Sequence, residues 1–269
     1  MTFSLETVLA AGLCFLAAAL VKGLTGIGFL TVSVATLVFV VGLKTAVALV
    51  LVPSLLSNVF IMLDAGRFVE TMRRFWPLYL ASAPGLVVGV QLLIRVDQNL
   101  ASIVLGTVVV VYSLLALAKP SISIADRLRG PLQLPVGLAH GLVAGLTGSQ
   151  VMPLLPYLFA LRLEPAVLLQ ASNTVFTFCS LLSAVLLFNC GLLTPEIALL
   201  SLGGSVPTYL GVKAGSHVRR HLSPASFRTV ILGVILVLGL ALIARAAWSA
   251  ERPGPVPETA AHDLRSVPG

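Results

Sequence analysis

The stretch KGLTGIG, residues 22–28, interrupts a run of apolar sequence otherwise suited to crossing a bilayer. AGLTGSQ, residues 144–150, interrupts a second apolar run with the same pattern. Glycine costs a helix interior about 1 kcal/mol relative to alanine, and backbone that leaves the helix inside a membrane needs protein or a water-lined cavity to satisfy it. Two breaks at matching places therefore point to built features. The helices expected to begin near Phe29 and Val151 would each present free N–H groups and a positive dipole end, an arrangement that favours an anion.

The rest of the chain fixes the setting of those breaks. Of 269 residues, 58% are hydrophobic and only 10% are charged, against about 25% charged in a soluble domain. Residues 23–43, 45–63, 75–94, 98–118, 130–161 and 165–195 contain no Asp, Glu, Lys or Arg. A spanning helix needs about 20 apolar residues, so the fold class is all-α, a polytopic membrane protein. VVVVYSLLALA at 108–118 lacks the alternation of a membrane barrel. Glu6 is the one charged side chain before Lys22, so the basic region of a cleaved signal is missing and the first apolar segment is expected to be retained.

The chain also repeats itself. GLTG recurs at 23–26 and 145–148; Leu43, Ala46, Val47 and Leu49 match Leu163, Ala166, Val167 and Leu169; and Gly85 and Gly89 match Gly211 and Gly215. Three matches in one order at nearly one spacing divide the chain into a first transmembrane repeat (1–118), a basic loop (119–133), a second repeat (134–248) and a disordered tail (249–269). If each glycine motif separates two helices, the segments are 5–22, 27–42, 45–63, 75–94 and 100–118, then 132–145, 150–161, 165–188, 196–214 and 225–247. An odd number per repeat inverts one copy. Sixteen of the 17 Lys and Arg, Arg228 within the last segment aside, then divide eleven to five between the two sides, with both termini outside; four crossings per repeat divide the same sixteen seven to nine. Cytoplasmic loops are the Lys- and Arg-rich ones, so inversion is the favoured arrangement, in a cell membrane.

Short broken segments at corresponding places in two halves are the sequence pointer to a transporter site. The candidate substrate-binding residues are Gly23, Thr25, Gly26 and Gly28 in the first copy and Gly145, Thr147, Gly148, Ser149 and Gln150 in the second. Thr31 adds a nearby hydroxyl, and Asn58 and Asn173 add amides inside apolar windows, where they either bond across helices or face a polar path. A tight turn outside the membrane is the alternative reading of either motif. Gly85, Gly89, Gly211 and Gly215 are expected to permit close helix packing. Lys22 is expected to snorkel, and His140, the side chain in 130–161 that titrates near neutral pH, to be packed and neutral.

Absences narrow the function further. No Asp or Glu lies deep in a long apolar window, and no catalytic triad or paired acids occur, so an enzyme is disfavoured. Cys14, Cys179 and Cys190 have no metal spacing, and no metal or cofactor is expected. The net charge of +7 is scattered through short loops, which suits topology rather than nucleic acid. The expected partners are a small anion and the lipid bilayer.

The glycine break followed by GLKTAVALVLVPSLLSN (42–58), and GLVAGLTGSQVMPLLPYLFALRLEPAVLLQASNT (141–174), resembles the sulfite exporter TauE/SafE family over about residues 5–247. The second copy departs from the first in carrying Gln150 where Gly28 stands. The resemblance implies a secondary carrier moving small sulfur-containing anions such as sulfite, thiosulfate or organosulfonates, and the function expected of the chain is export of such an anion by alternating access between the two repeats. A passive channel and a non-transporting membrane scaffold are the alternatives.

Overall fold

Ser4 opens the first helix by accepting the Thr7 N–H at 3.2 Å, and Gly26, at φ +80°, closes it. This is the usual chemistry of helix ends. The computed structural model describes residues 4–118, 123–219 and 224–251, and every regular element among them is a helix. In order they are α1 (Leu5–Thr25), α2 (Phe29–Val41), α3 (Leu43–Leu49), α4 (Leu51–Ala65), α5 (Phe68–Arg95), α6 (Gln98–Ala118), α7 (Asp126–Arg129), α8 (Gln133–Thr147), α9 (Leu154–Ala160), α10 (Pro165–Asn189), α11 (Pro195–Gly203), α12 (Ser205–Arg219) and α13 (Pro224–Glu251). Four of them, α1, α5, α6 and α10, are individually long and apolar enough to span a membrane. Large apolar side chains such as Leu13, Leu80, Leu114 and Leu181 are exposed on their outer faces, as lipid contact requires.

Two expected single segments are broken. Residues 45–63 form α3 and α4, bent by 42°. Pro53 lacks the N–H that would bond to Leu49 four residues back. The Val52 N–H leaves the helix pattern as well and donates to Ser201 Oγ at 3.3 Å. Residues 196–214 likewise divide into α11 and α12 at Gly204. The expected helix start near Val151 moves to Leu154, and α9 has only seven residues. Pro153 disfavours helical backbone at Met152, so residues 151–153 form a turn instead. Within the expected basic loop, 126–129 make one helical turn; residues 119–122 lie outside the described ones. Most of the expected disordered tail, 252–269, also lies outside them, while 249–251 continue α13.

Glycines decide which helices touch. A Cβ on Gly137, Gly141 or Gly145 of α8 would collide with the carbonyl oxygens of Leu78, Ser82 and Leu86 of α5, so these helices run parallel at near backbone contact. Gly211 and Gly215 of α12 meet Leu16 and Leu20 of α1 in the same way, again in parallel. The helix that ends at each glycine break therefore does not lie beside the fourth segment of its own half. Instead α1 packs on α12 and α8 on α5, while α6 pairs with α13 and α4 with α10. The α4/α10 pair is antiparallel, since Thr177 bonds Met62 and Gln170 accepts the Arg67 N–H.

These pairings place the charges. Gln133 Nε2 donates to Arg74 O, the Ile124 N–H to Ala160 O, and Arg67 lies 3.6 Å from Glu164. One end of the molecule thus collects Arg67, Arg73, Arg74, Arg127, Arg129 and Arg162. The opposite end holds Lys44, bonded to Ile94 O, and Arg245, bonded to Val38 O.

Candidate functional site

The two breaks are built alike, each around one threonine. Thr25 Oγ1 donates to Val21 O at 2.9 Å and to Ile27 O at 2.7 Å, and accepts the Ile27 N–H at 3.3 Å. Thr147 Oγ1 donates to Val143 O at 2.7 Å and accepts the Ser149 N–H at 3.1 Å. Both hydroxyls hold the chain as it leaves the helix. Gly26 and Gly148 follow in the left-handed region, φ +80° and +71°, where other L-residues are strained. Gly28 repeats that conformation at φ +89°, with open space where a Cβ would be. Thr25→Val and Thr147→Val should therefore leave weakened but measurable anion flux in reconstituted protein. Each lost neutral hydrogen bond corresponds to roughly two- to twelve-fold; wild-type rates in both would show that the hydroxyls do not hold the breaks.

The breaks meet inside the protein. Thr31 Oγ1 lies 3.0 Å from Ser149 Oγ, and both residues are buried. Asn173 of α10 reaches the first break, donating to Gly26 O at 3.3 Å as well as to Leu169 O at 2.9 Å. Gln150 Nε2 donates to Ser180 Oγ at 3.4 Å. α2 starts here at Phe29 with no side-chain cap, so its first-turn N–H groups have no intrahelical acceptor. Three buried amide atoms nearby, Asn58 Nδ2, Gln150 Oε1 and Asn173 Oδ1, have no protein partner. Buried polar atoms of that kind are costly unless something bonds them.

A correction concerns Lys22. Rather than snorkelling, its side chain is 1% exposed. Nζ donates to Ser57 Oγ at 3.1 Å and to Asn58 Oδ1. The reason is local: Gly23, the next residue, brings α12 against α1, and Lys22 turns inward to α4. Sequence reasoning left Lys22 out of the site. The signal available was its place, one residue before the first break, where the second copy has Ala144.

Not every candidate lies at the break. Gly23 sits within α1 against Val212 O and the Gly215 Cα, and Gly145 within α8 against Leu86 O and the Val90 N; their visible work is helix packing. His140 is buried, its ring 6.2 Å from that of Phe176.

Two cavities adjoin the breaks. The larger, about 260 Å³, is walled mainly by apolar side chains and takes in Thr25, Gly28 and Thr31 of the first break. The smaller, about 10 Å³ and so room for about one water in this conformation, is lined by Lys22, Gly28, Thr31, Ser54, Asn58 and Gln150, among others. Gly28, Thr31 and Val151 border both. Toward the arginine-rich end a further cavity of about 400 Å³ contains Asp64, Lys213 and His217. Leu169 separates it from the 260 Å³ cavity, lining both and resting where a Gly26 Cβ would be.

An arrangement of neutral donors, an uncapped helix start and a buried ammonium can hold an anion stripped of water. The chain matches the family model described as sulfite exporter TauE/SafE over residues 10–242. No curated protein and no solved structure matches it. With the match spanning most of the chain and the helices apolar enough to cross a bilayer, the protein belongs to the sulfite exporter TauE/SafE family of membrane transporters for sulfite-type anions.

Proposed function

We propose that the protein is a secondary carrier exporting a small sulfur-containing anion across the cell membrane, with the substrate held where the two glycine breaks meet. The observation that carries this reading is the buried contact of Thr31 with Ser149, one residue from each half, beside Lys22. The substrate set comprises Thr25, Gly26, Gly28, Thr147, Gly148, Ser149, Gln150, Asn58 and Asn173, flanked by the packing glycines Gly23 and Gly145. Two inverted repeats, exchanging access to this site by moving against each other, are the reading that the helix pairing supports. In it α1 lies on the fourth segment of the second half, α8 on the fourth segment of the first, and like segments pair elsewhere. The arginine-rich end faces the cytoplasm in this arrangement, since Lys and Arg gather on that side.

Flux in proteoliposomes across sulfite, thiosulfate, sulfate, taurine and sulfoacetate tests the carrier reading. Saturation with at least one sulfur-containing anion is the expected result. Flux rising linearly with concentration would indicate a channel, and none with any anion would leave a scaffold.

Sidedness has its own test. In a variant with Cys14, Cys179 and Cys190 replaced by serine, Arg73→Cys and Arg127→Cys should resist an impermeant thiol reagent applied to intact cells, whereas Gln98→Cys should react. External labelling of Arg127→Cys would overturn the inverted arrangement.

A further inference from the structure

We infer that Lys22, as an ammonium when an anion is bound beside it, supplies the one positive charge of the anion site and so restricts the cargo to monoanions, an assignment resting on the carrier reading above. Among the described residues Lys22 is the one buried Lys, Arg, Asp or Glu. Both of its bonded partners, Ser57 Oγ and Asn58 Oδ1, are neutral, although an ammonium has three donors. No carboxylate lies within ion-pair distance of it among the described residues. The acid of α4, Asp64, is exposed and lines the outer 400 Å³ cavity with Lys213 and His217.

A charge taken out of water without a counterion costs several kcal/mol. The protein supplies no counterion, so an anion entering the site is the partner that stabilises the charged form of Lys22. Two unpartnered buried atoms line the same small cavity. Asn58 Nδ2 is a donor suited to an oxyanion, and Gln150 Oε1 is an acceptor that opposes a second negative charge. The second break adds no cation, because Ala144 occupies the place of Lys22 and is itself buried. His140, the nearby side chain that could carry a second positive charge, has its ring 6.2 Å from that of Phe176 and is not among the residues lining either cavity. A monoanion therefore leaves the site neutral, while a dianion leaves one uncompensated charge in a buried compartment.

The test compares methanesulfonate, a monoanion, with sulfate, a dianion, by thermal stabilisation of purified protein and by flux in proteoliposomes. Wild-type protein should bind methanesulfonate at least about ten-fold more tightly than sulfate, the scale of a charge-assisted contact. Lys22→Met should remove the methanesulfonate effect by a similar factor, while its stability without anion holds or rises, as expected when a buried unpaired charge is replaced by an apolar side chain. Lys22→Arg should retain the preference for the monoanion. Equal binding of the two anions by wild-type protein overturns the assignment without needing a variant, and so does undiminished methanesulfonate binding by Lys22→Met. Binding that discriminates by charge without any flux would instead defeat the carrier reading and leave the role of Lys22 standing.

Discussion

Anion flux is expected to vanish in Gly26→Val and in Gly148→Val while both proteins still insert in the membrane. Each glycine has a positive φ, +80° and +71°. Forcing an L-residue into that region costs about 1–2 kcal/mol, and valine's branched Cβ adds to it. Space is also lacking. A Cβ at Gly26 would stand 2.5 Å from Leu169 Cδ2, and one at Gly148 2.9 Å from Val47 Cγ2. In both cases the neighbour belongs to the other half, so the substitution pushes apart the surfaces that bring Thr31 to Ser149. Gly28→Ala is a milder change, since no atom lies within 4 Å of its Cβ position; only the backbone strain remains. Transport assays on the three purified variants, alongside yield from membranes, check the order. Flux at the wild-type rate in Gly26→Val and Gly148→Val would reduce the breaks to turns.

The second large effect falls on folding itself. Gly141→Leu and Gly215→Leu should give little or no monodisperse protein after extraction, because a Cβ at either position would overlap backbone atoms of Ser82 or Leu20. Backbone cannot rotate aside as a side chain can, and overpacking costs about 1–3 kcal/mol even where neighbours can shift. Gly12→Leu is the control: it lies on the same helix as Gly23 and has nothing within 4 Å. Normal yield from Gly141→Leu would mean that α5 and α8 do not approach this closely.

Much of this organisation is legible from local chemistry. The segments read from charge-free windows mark α10 closely, 165–188 against Pro165–Asn189, whereas α5 starts at Phe68, seven residues ahead of its expected 75–94, because its first turns carry Glu70, Arg73 and Arg74. Glycine after threonine marks the breaks because its conformation is a local property, and Gly26 and Gly148 adopt positive φ where the sequence motif places them. The packing glycines are equally visible, since small residues four apart on one helix admit a neighbour, as Gly85 and Gly89 admit α8. What escapes is set by distant partners. Lys22 beside a break reads as a residue free to reach the interface, and only the closure of α12 over Gly23 turns it inward to Ser57 and Asn58. The bend between α3 and α4 is stabilised by Ser201, 149 positions away from Val52. The shortening of α9 was available from Pro153, but the repeated motif argued for equivalence with α2, and proline chemistry prevailed.

That the two breaks meet and that the anion passes between them is tested most directly by joining them. Thr31→Cys with Ser149→Cys, in a background where Cys14, Cys179 and Cys190 are serine, replaces two oxygens 3.0 Å apart. Methanesulfonate is the cargo of choice, because sulfite itself cleaves disulfides. Mild oxidation should cross-link the pair, stop flux, and allow it to resume on reduction, while either single cysteine variant keeps transporting under the same oxidant. A pair that does not cross-link, or a cross-linked protein that carries methanesulfonate at the unoxidised rate, would contradict a site shared by the two breaks.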